Sequence, residues 1–574
     1  MKPELTDSRR LTGANLFWEH PSAIIDAESD GPVDELIKAW ELAAGQLLDS
    51  VGHSGEQTCY RAWQGGVSLL ISAPIDVLYS MCELNEAAWD MAMHACGWGV
   101  PQDLSELVPR LNRLFDEERN PALLALQQAA RNYGVPFLWD DDEVSIGYGK
   151  TTLSWPPDKL PRPDQIDWNA IGSIPVAMVT GTNGKSTTVR MTASILSAAG
   201  LCTGLTSTDF IRVGDRMIDR GDYSGTGGAR TLMRQKDVEV AVLEVARGGL
   251  LRRGLGVERA DVAVVTNVAA DHLGDYGINS VAELIPAKFI VRRALGANAP
   301  LVLNADDAGV VAYAAGLDNC LAWFSLDPGN ERVRQGLLDG ESACFLEEGW
   351  LVSARGDERR RVVHVDQVPA TRGGSARYNI SNALAAVSTA LALGVSDDAI
   401  RQGLASFRGD EADNPGRGNW FECEISTEEG SGPVKILVDF AHNEHGMLAL
   451  ADMVLATPSE RIVLLIGQAG DRLDQDIADL VSAACSVAPD RLLVAELPGY
   501  ERGRAPFEVP GLISREAIGA GIPAQAVEIC GSPVEATARA LEDARPGDLI
   551  VLLALTQREE ALELVRRFIG NSHG

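Results

Sequence analysis

At 574 residues the chain exceeds what one hydrophobic core can organise, so three or four domains are expected, and 45% hydrophobic with 23% charged residues is an ordinary globular balance. A formal net charge of −31 repels nucleic acid and anionic membrane surfaces and excludes both as partners; a generically acidic surface accounts for the charge more simply than a cationic co-substrate does. Nine scattered cysteines without a C-x-x-C pair argue against a disulfide framework and a zinc site. No apolar run approaches the ~20 residues of a membrane span, and the start shows no secretory h-region, so a cytoplasmic protein is expected.

In chain order, the first block covers residues 1–153 and mixes amphipathic helical stretches (33–51, 84–96 and 104–133) with strand-like pieces such as 67–71, an α+β pattern. Residues 154–172 follow, and four prolines between Trp155 and Pro163 predict a stiff extended linker. The block 173–412 opens with a short apolar strand at 175–179, a glycine turn and a helical stretch at 187–199. Apolar runs at 240–243, 262–266 and 301–303 then recur at helix-length intervals. That alternation predicts an α/β domain with a mostly parallel sheet covered on both faces. The last block, 413–574, repeats it with runs at 436–438, 462–466, 492–495 and 549–553. It predicts a smaller, Rossmann-like, doubly wound α/β domain.

The strongest local signal is Thr180-Gly181-Thr182-Asn183-Gly184-Lys185-Ser186-Thr187-Thr188, set between a buried strand and a helix, the context a phosphate loop requires. Glycines let backbone N–H groups approach phosphate oxygens, and the helix N-terminus adds partial positive charge. Lys185 can reach the terminal phosphates, and Ser186 can offer its hydroxyl to Mg²⁺. The spacing G-x-x-G-K-S is two residues shorter than the general loop. A tight glycine turn with an incidental lysine is the competing reading, and the flanking strand and helix weigh against it.

Glu244 ends the run 240–243, and Thr266-Asn267 followed by Asp271-His272 ends the next. Ligands of open α/β sheets bind outside the carboxyl ends of the strands, so these groups are expected on the edge that carries the phosphate loop. There Glu244 and His272 suit Mg²⁺ ligation, although a solvated strand end and a satisfied histidine are the plain alternatives. By composition Lys288 is simply an exposed lysine on a helix.

These residues resemble the Mur ligase superfamily, and within it the cyanophycin synthetase group. Besides the loop, Glu244 to Arg252 is similar to E-x-A-R-G-G-I-L-R, Val264 to Gly274 to V-V-T-N-x-x-x-D-H-L-G, and Leu303 to Asp307 to L-N-A-D-D. Tyr378 to Ala383 resembles F-N-I-x-N-A, Pro415-Gly416-Arg417 resembles P-G-R, and Asp439 to Asn443 resembles D-Y-A-H-N. In the first block, Leu11-Thr12-Gly13-Ala14-Asn15 resembles L-x-G-P-N, and residues 144–149 resemble the L-G-Y-G end of that group's N-terminal domain. The resemblance implies that Gly181, Thr182, Asn183, Gly184, Lys185, Ser186 and Thr187 hold ATP phosphates. It implies that Ser186 and Glu244 serve one Mg²⁺ and His272 a second, and that Lys288 is a metal-assisting lysine of the kind that becomes carbamylated. Asn382 would approach adenine, and Arg417, Asp439 and His442 would reach ATP from the closing C-terminal domain. In that group an ATP-grasp domain follows the first block; here only residues 154–172 do, so polymerisation is not expected. Phe210 and Glu444 depart from the group's pattern and are expected to alter the acceptor site.

The implied enzyme is an ATP- and Mg²⁺-dependent carboxylate–amine ligase working through an acyl-phosphate. Lys185, Glu244, His272, Lys288 and Arg247 would be its catalytic residues, and small acids and amines, including amino acids or a short peptide, its substrates. Arg247 either binds the acid substrate or forms a structural ion pair. The first block either binds an elongated substrate or serves as a structural or homo-oligomerisation module. A catalytically silent, nucleotide-binding scaffold and a motor-type NTPase are the rival classes.

Overall fold

The computed structural model describes residues 2–427 and 430–572. The outer ends of the first and last expected blocks, residue 1 and residues 573–574, lie outside them. Among the described residues the strands form four sheets. The first is antiparallel, in the order Glu4–Leu11, Ser22–Glu28, Gly66–Ser72, Thr58–Trp63. Helices Asp34–Ser50 and Leu78–Ala95 bury their apolar sides, Trp40 and Leu84 among them, in its core.

The single amphipathic stretch expected at 104–133 is two helices, Leu104–Glu118 and Pro121–Asn132. Pro121 lacks an N–H and disfavours helical geometry at Asn120, yet it suits the first helical position. Asn120 caps the new helix by accepting from the Leu123 N–H at 3.2 Å. The proline-rich segment is not a free spacer. Leu153–Trp155 is a strand of a small three-stranded sheet. Trp168 is buried in the N-terminal core, stacks on Tyr133 at 4.9 Å and donates to the Pro163 carbonyl.

The central sheet has eleven strands. Seven run parallel, in the order Thr203–Thr206, Val240–Glu244, Val176–Thr180, Val262–Val265, Pro300–Asn304, Cys320–Ser325, Ser342–Glu347. Two antiparallel strands extend each edge. Val176–Thr180 and Val240–Glu244 are buried end to end, as a sheet covered on both faces demands. Lys185–Ala198, Arg377–Ala392 and Asp397–Ser406 cover one face; Thr226–Met233, Arg247–Arg253 and Val281–Lys288 cover the other. The predicted mostly parallel α/β architecture is what the chain adopts.

The C-terminal sheet runs Asn419–Thr427, Gly430–Asp439, Asp548–Leu553, Arg461–Gly467, Arg491–Ala495, Val527–Cys530, parallel except for the first pair. Sequence periodicity did not reveal the outer strands Asn419–Thr427 and Val527–Cys530, whose half-exposed residues lack a continuous apolar run. No helix among the described residues is long and apolar enough to cross a membrane.

Candidate active site

The strand Val176–Thr180 delivers the glycine loop at the carboxyl edge of the central sheet, and the helix Lys185–Ala198 starts from it. Two residues of the loop are glycine for packing reasons. Gly181 (φ +145°) and Gly184 (φ +82°) both have positive φ. A Cβ would lie 1.9 Å from Thr266 Oγ1 at position 181 and 2.2 Å from Asn382 Oδ1 at position 184. The end of the neighbouring strand holds the loop from below. Thr266 donates to the Asn183 carbonyl at 2.6 Å, and the Asn267 side chain accepts from Asn183 N at 2.9 Å and donates back to its carbonyl at 3.1 Å. Lys185 Nζ donates to the Thr182 carbonyl at 2.8 Å, which curls the amine over the turn. The Thr187 hydroxyl accepts from Asn414 at 3.1 Å.

Around this loop lies a cleft of about 1080 Å³. The cofactor-binding and catalytic candidates Thr182 to Thr187, Glu244, Arg247, His272, Lys288, Asn382, Arg417, Asp439 and His442 all line it. Gly181 sits at the base of the loop and offers its carbonyl to Lys288 Nζ at 2.8 Å. Lys288 is therefore not the exposed lysine that composition suggests. It is 4% exposed, because the helix Val281–Lys288 packs against the sheet and turns this side chain inward. Burial, then the neighbouring Lys185 charge, holds its amine well below the ordinary lysine value.

Glu244 is 2% exposed, and its carboxylate accepts from the Thr208 hydroxyl at 2.7 Å and the Thr208 N–H at 3.2 Å. None of the ion pairs among the described residues includes it. A buried carboxylate in no ion pair, lining the same cleft as the phosphate loop and Ser186, fits a divalent cation. Among the described residues no cluster of three or more His, Cys, Asp or Glu side chains is poised to hold a metal, so phosphate oxygens and water would have to complete the shell.

His272 departs from expectation in its surroundings. Its backbone is left-handed (φ +51°), and its Nε2 lies 2.9 Å from an Arg472 guanidinium nitrogen. Burial, outweighing the opposing Asp271, and the Arg472 charge lower its pKa to about 4, so the neutral ring accepts from Arg472. A cation on that nitrogen would have to displace Arg472. Asp271 accepts from Arg472 at 2.9 Å and faces His442 Nε2 at 3.8 Å; although burial opposes it, these partners hold its pKa far below the carboxylate norm. Arg247 lines the cleft and also makes the ion pair. Arg247 Nη2 meets Asp275 at 2.7 Å, and Nη1 donates to the His272 carbonyl at 2.6 Å.

The C-terminal domain meets the loop directly. Asn183 and Asn443 exchange amide hydrogen bonds of 3.0 and 3.2 Å, and His445 Nδ1 lies 3.0 Å from Asn183 Nδ2. Arg417 donates to Asp209 at 2.7 Å. Asp439 accepts from the N–H groups of Gly418 and Ala441, and burial raises its pKa to about 6. The ring of His442 places Nδ1 3.0 Å from the Phe440 carbonyl. Asn382 lies against the phosphate turn, with its amide donating to Asn379. Phe210 and Glu444 line no part of the cleft: Phe210 is buried beneath Arg190, and Glu444 is exposed in the first turn of the helix Glu444–Ala456.

Sequence reasoning missed two contributors. Arg472 follows the strand Arg461–Gly467, so the strand-end rule that singled out Glu244 would have found it. Thr6, Asp7, Asp26, Glu28 and Trp63 of the N-terminal block also line the cleft, and no local motif announces them. The two motifs read in that block are seams instead. Thr12 N donates to the Arg253 carbonyl at 2.7 Å, and Leu255 N to the Ala14 carbonyl at 2.8 Å. A Cβ at Gly13 would fall 2.3 Å from the Leu255 oxygen, and one at Gly149 2.4 Å from the Val238 oxygen.

Residues 179–390 match the family model of the Mur ligase middle domain, and residues 423–554 match that of the Mur ligase, glutamate ligase domain. The chain is 39% identical over 344 residues to a cyanophycin synthetase of Trichormus variabilis, covering 60% of this chain and 37% of that protein. It is 36% identical over 393 residues to one of Synechocystis, covering 68% and 44%. Thus the chain spans about two fifths of the length of these relatives. A solved structure of E. coli FolC in complex with DHPP and ADP aligns with 70% of this chain and 89% of that one, at 23% identity and a TM-score of 0.49.

Proposed function

Because the chain belongs to the Mur ligase family through its middle and C-terminal domains, we propose that it is an ATP- and Mg²⁺-dependent ligase that joins a carboxylate to an amine through an acyl-phosphate. The observation that carries this reading is the meeting of Lys185, Glu244 and the buried Lys288 around one glycine loop in one cleft. The relatives' names add support: the matching proteins include cyanophycin synthetases and, at 31% identity over 55% of its length, the UDP-N-acetylmuramate–L-alanine ligase of Bordetella parapertussis.

In this reading the N–H groups at residues 181–187 cradle the ATP phosphates, and Lys185 leaves the Thr182 carbonyl to offset charge on the transferring phosphoryl group. Ser186 and Glu244 would hold Mg²⁺, which when bound supplies charge neutralisation at the phosphates. The substrate carboxylate attacks the γ-phosphorus, ADP departs, and the amine displaces phosphate from the acyl-phosphate. Burial, which lowers the Lys288 pKa, favours the free amine that reaction with carbon dioxide requires, and the resulting carbamate would add a negative charge beside the loop. Asn183, Asn443 and Arg472 close the C-terminal domain over the cleft and keep water from the acyl-phosphate. Asn382, Arg417, Asp439 and His442 complete the nucleotide side, and the setting is cytoplasmic.

The test is a phosphate-release screen with Mg²⁺-ATP across amino acids and short peptide acids, followed by product mass. Release that depends on an added amine, with a mass gain equal to the amine minus water, supports the ligase. Nucleotide binding without any amine-dependent release would assign the chain to a non-catalytic role.

A further inference from the structure

Asp209 lies in the turn between the strands Thr203–Thr206 and Phe210–Val213. Its carboxylate accepts from guanidinium groups that arrive from three places. Arg190 comes from the phosphate-loop helix. Arg417, at 2.7 Å, comes from the segment entering the C-terminal sheet. Arg558, also at 2.7 Å, comes from the first turn of the last helix. Three guanidinium groups share this one carboxylate, and of them Arg417 also lines the cleft. The C-terminal arginines are organised on their own side: Arg417 and Arg558 both lie over the Phe440 ring, at 5.1 and 5.8 Å, and Arg558 packs across Gly416.

The same turn grips Glu244. Thr208, one peptide unit from Asp209, makes both hydrogen bonds that fix the Glu244 carboxylate. The turn is stiff, because Ser207 Oγ accepts from the N–H groups of Asp209 and Phe210. A displacement of Asp209 is therefore transmitted to Glu244 instead of being absorbed.

We propose that Asp209 is a positioning residue for the ligation: by holding Arg417 and Arg558, it makes seating of the C-terminal domain and alignment of the Glu244 carboxylate a single event. The proposal deepens the ligase reading and rests on it. Asp209 itself does not line the cleft, so it acts through Arg417 on one side and through Thr208 and Glu244 on the other.

The full-length chain carrying Asp209→Asn keeps the side-chain shape and removes the charge. Small-angle scattering with Mg²⁺ and a non-hydrolysable ATP analogue should show the wild type compact and the variant expanded. Turnover should fall roughly 10- to 100-fold, as misalignment of about 1 Å can cause, and the Mg²⁺ concentration for half-maximal rate should rise. Asp209→Glu should recover part of both. If Asp209 and Thr208 act on one path, adding Thr208→Val to Asp209→Asn should lower turnover no further than the worse single change. Arg558→Gln, at the more exposed end of the cluster, should give the same pattern if Asp209→Asn fails to fold. Compaction, turnover and Mg²⁺ dependence all at wild-type values, or losses that multiply in the double variant, would overturn the proposal. A wild type that never forms amide would overturn the ligase reading instead, and the scattering comparison would still show whether Asp209 governs closure.

Discussion

The N-terminal block joins the central domain through main-chain hydrogen bonds and close glycine contacts as well as side-chain pairs such as Arg234 with Asp140, whereas the C-terminal domain joins it through charged and amide side chains. At the first seam, carbonyls of 253 and 14 accept from the N–H groups of 12 and 255, and Gly13 brings the two backbones together. At the second, Asp209 holds Arg417 and Arg558, Asp271 holds Arg472, and Asn183 pairs with Asn443. Main-chain bonds in a close-packed seam break only when the local fold breaks. Side-chain pairs across a part-buried surface are individually modest and can form and release while both domains stay folded. On the proposed ligase reading, the N-terminal wall stays fixed while the C-terminal wall leaves and returns, as a reaction needing both substrate entry and water exclusion requires.

The largest expected effect lies at the centre that both seams enclose. Lys185→Ala should lower product formation by on the order of 10³-fold in single-turnover assays; product at the wild-type rate would place the reaction elsewhere. Next is the fixed wall. Gly13→Val should cost about 1–3 kcal/mol of stability through the clash with the Leu255 carbonyl. It should also expose the 12–15 segment to proteolysis, and an unchanged melting temperature would show that this seam yields easily.

Acid should separate the seams by a smaller effect. Burial pushes the Asp209 carboxyl up, but Arg417, Arg190 and Arg558 outweigh it and hold the group well below the usual carboxylate range. A folded pKa depressed in this way contributes stability that is complete above the unfolded value of about 4. That contribution is lost as pH falls through the lower folded value. Hydrogen exchange below about pH 4 should therefore show residues near 209 and 417 opening before the 12–14 and 253–255 segments. The reverse order would contradict the comparison. The smallest effect is that of salt. Raising ionic strength to about 1 M, where the screening length is about 3 Å, should loosen the C-terminal seam slightly in scattering and the N-terminal seam less, because main-chain bonds back its ion pairs.

Legibility of the site followed the range of the interactions. The phosphate loop could be read because strand, turn and helix are contiguous, and each glycine answers a constraint within that unit. Glu244 and Asp271-His272 could be read because a parallel sheet puts successive strand ends on one edge. Arg247 could not be settled between substrate and ion pair, since its partner Asp275 is 28 positions away and becomes a neighbour only when helix and loop pack. His272 was legible as a site residue, but its facing Arg472 lies two hundred residues on, in another domain. The stiff linker expected over 154–172 missed the docking of Trp168, because an extended proline run looks alike in sequence whether it packs or not.

The sequence by itself determined the alternation of strands and helices, the phosphate loop and the edge on which its companions lie. Short-range periodicity and turn chemistry are sufficient for these. Tertiary structure alone decided that Lys288 is buried beside Lys185, that Arg472 and Asp209 join the domains, and that the N-terminal sheet walls the cleft. Burial and charge pairing depend on which surfaces meet in space, and no local pattern of residues encodes that meeting.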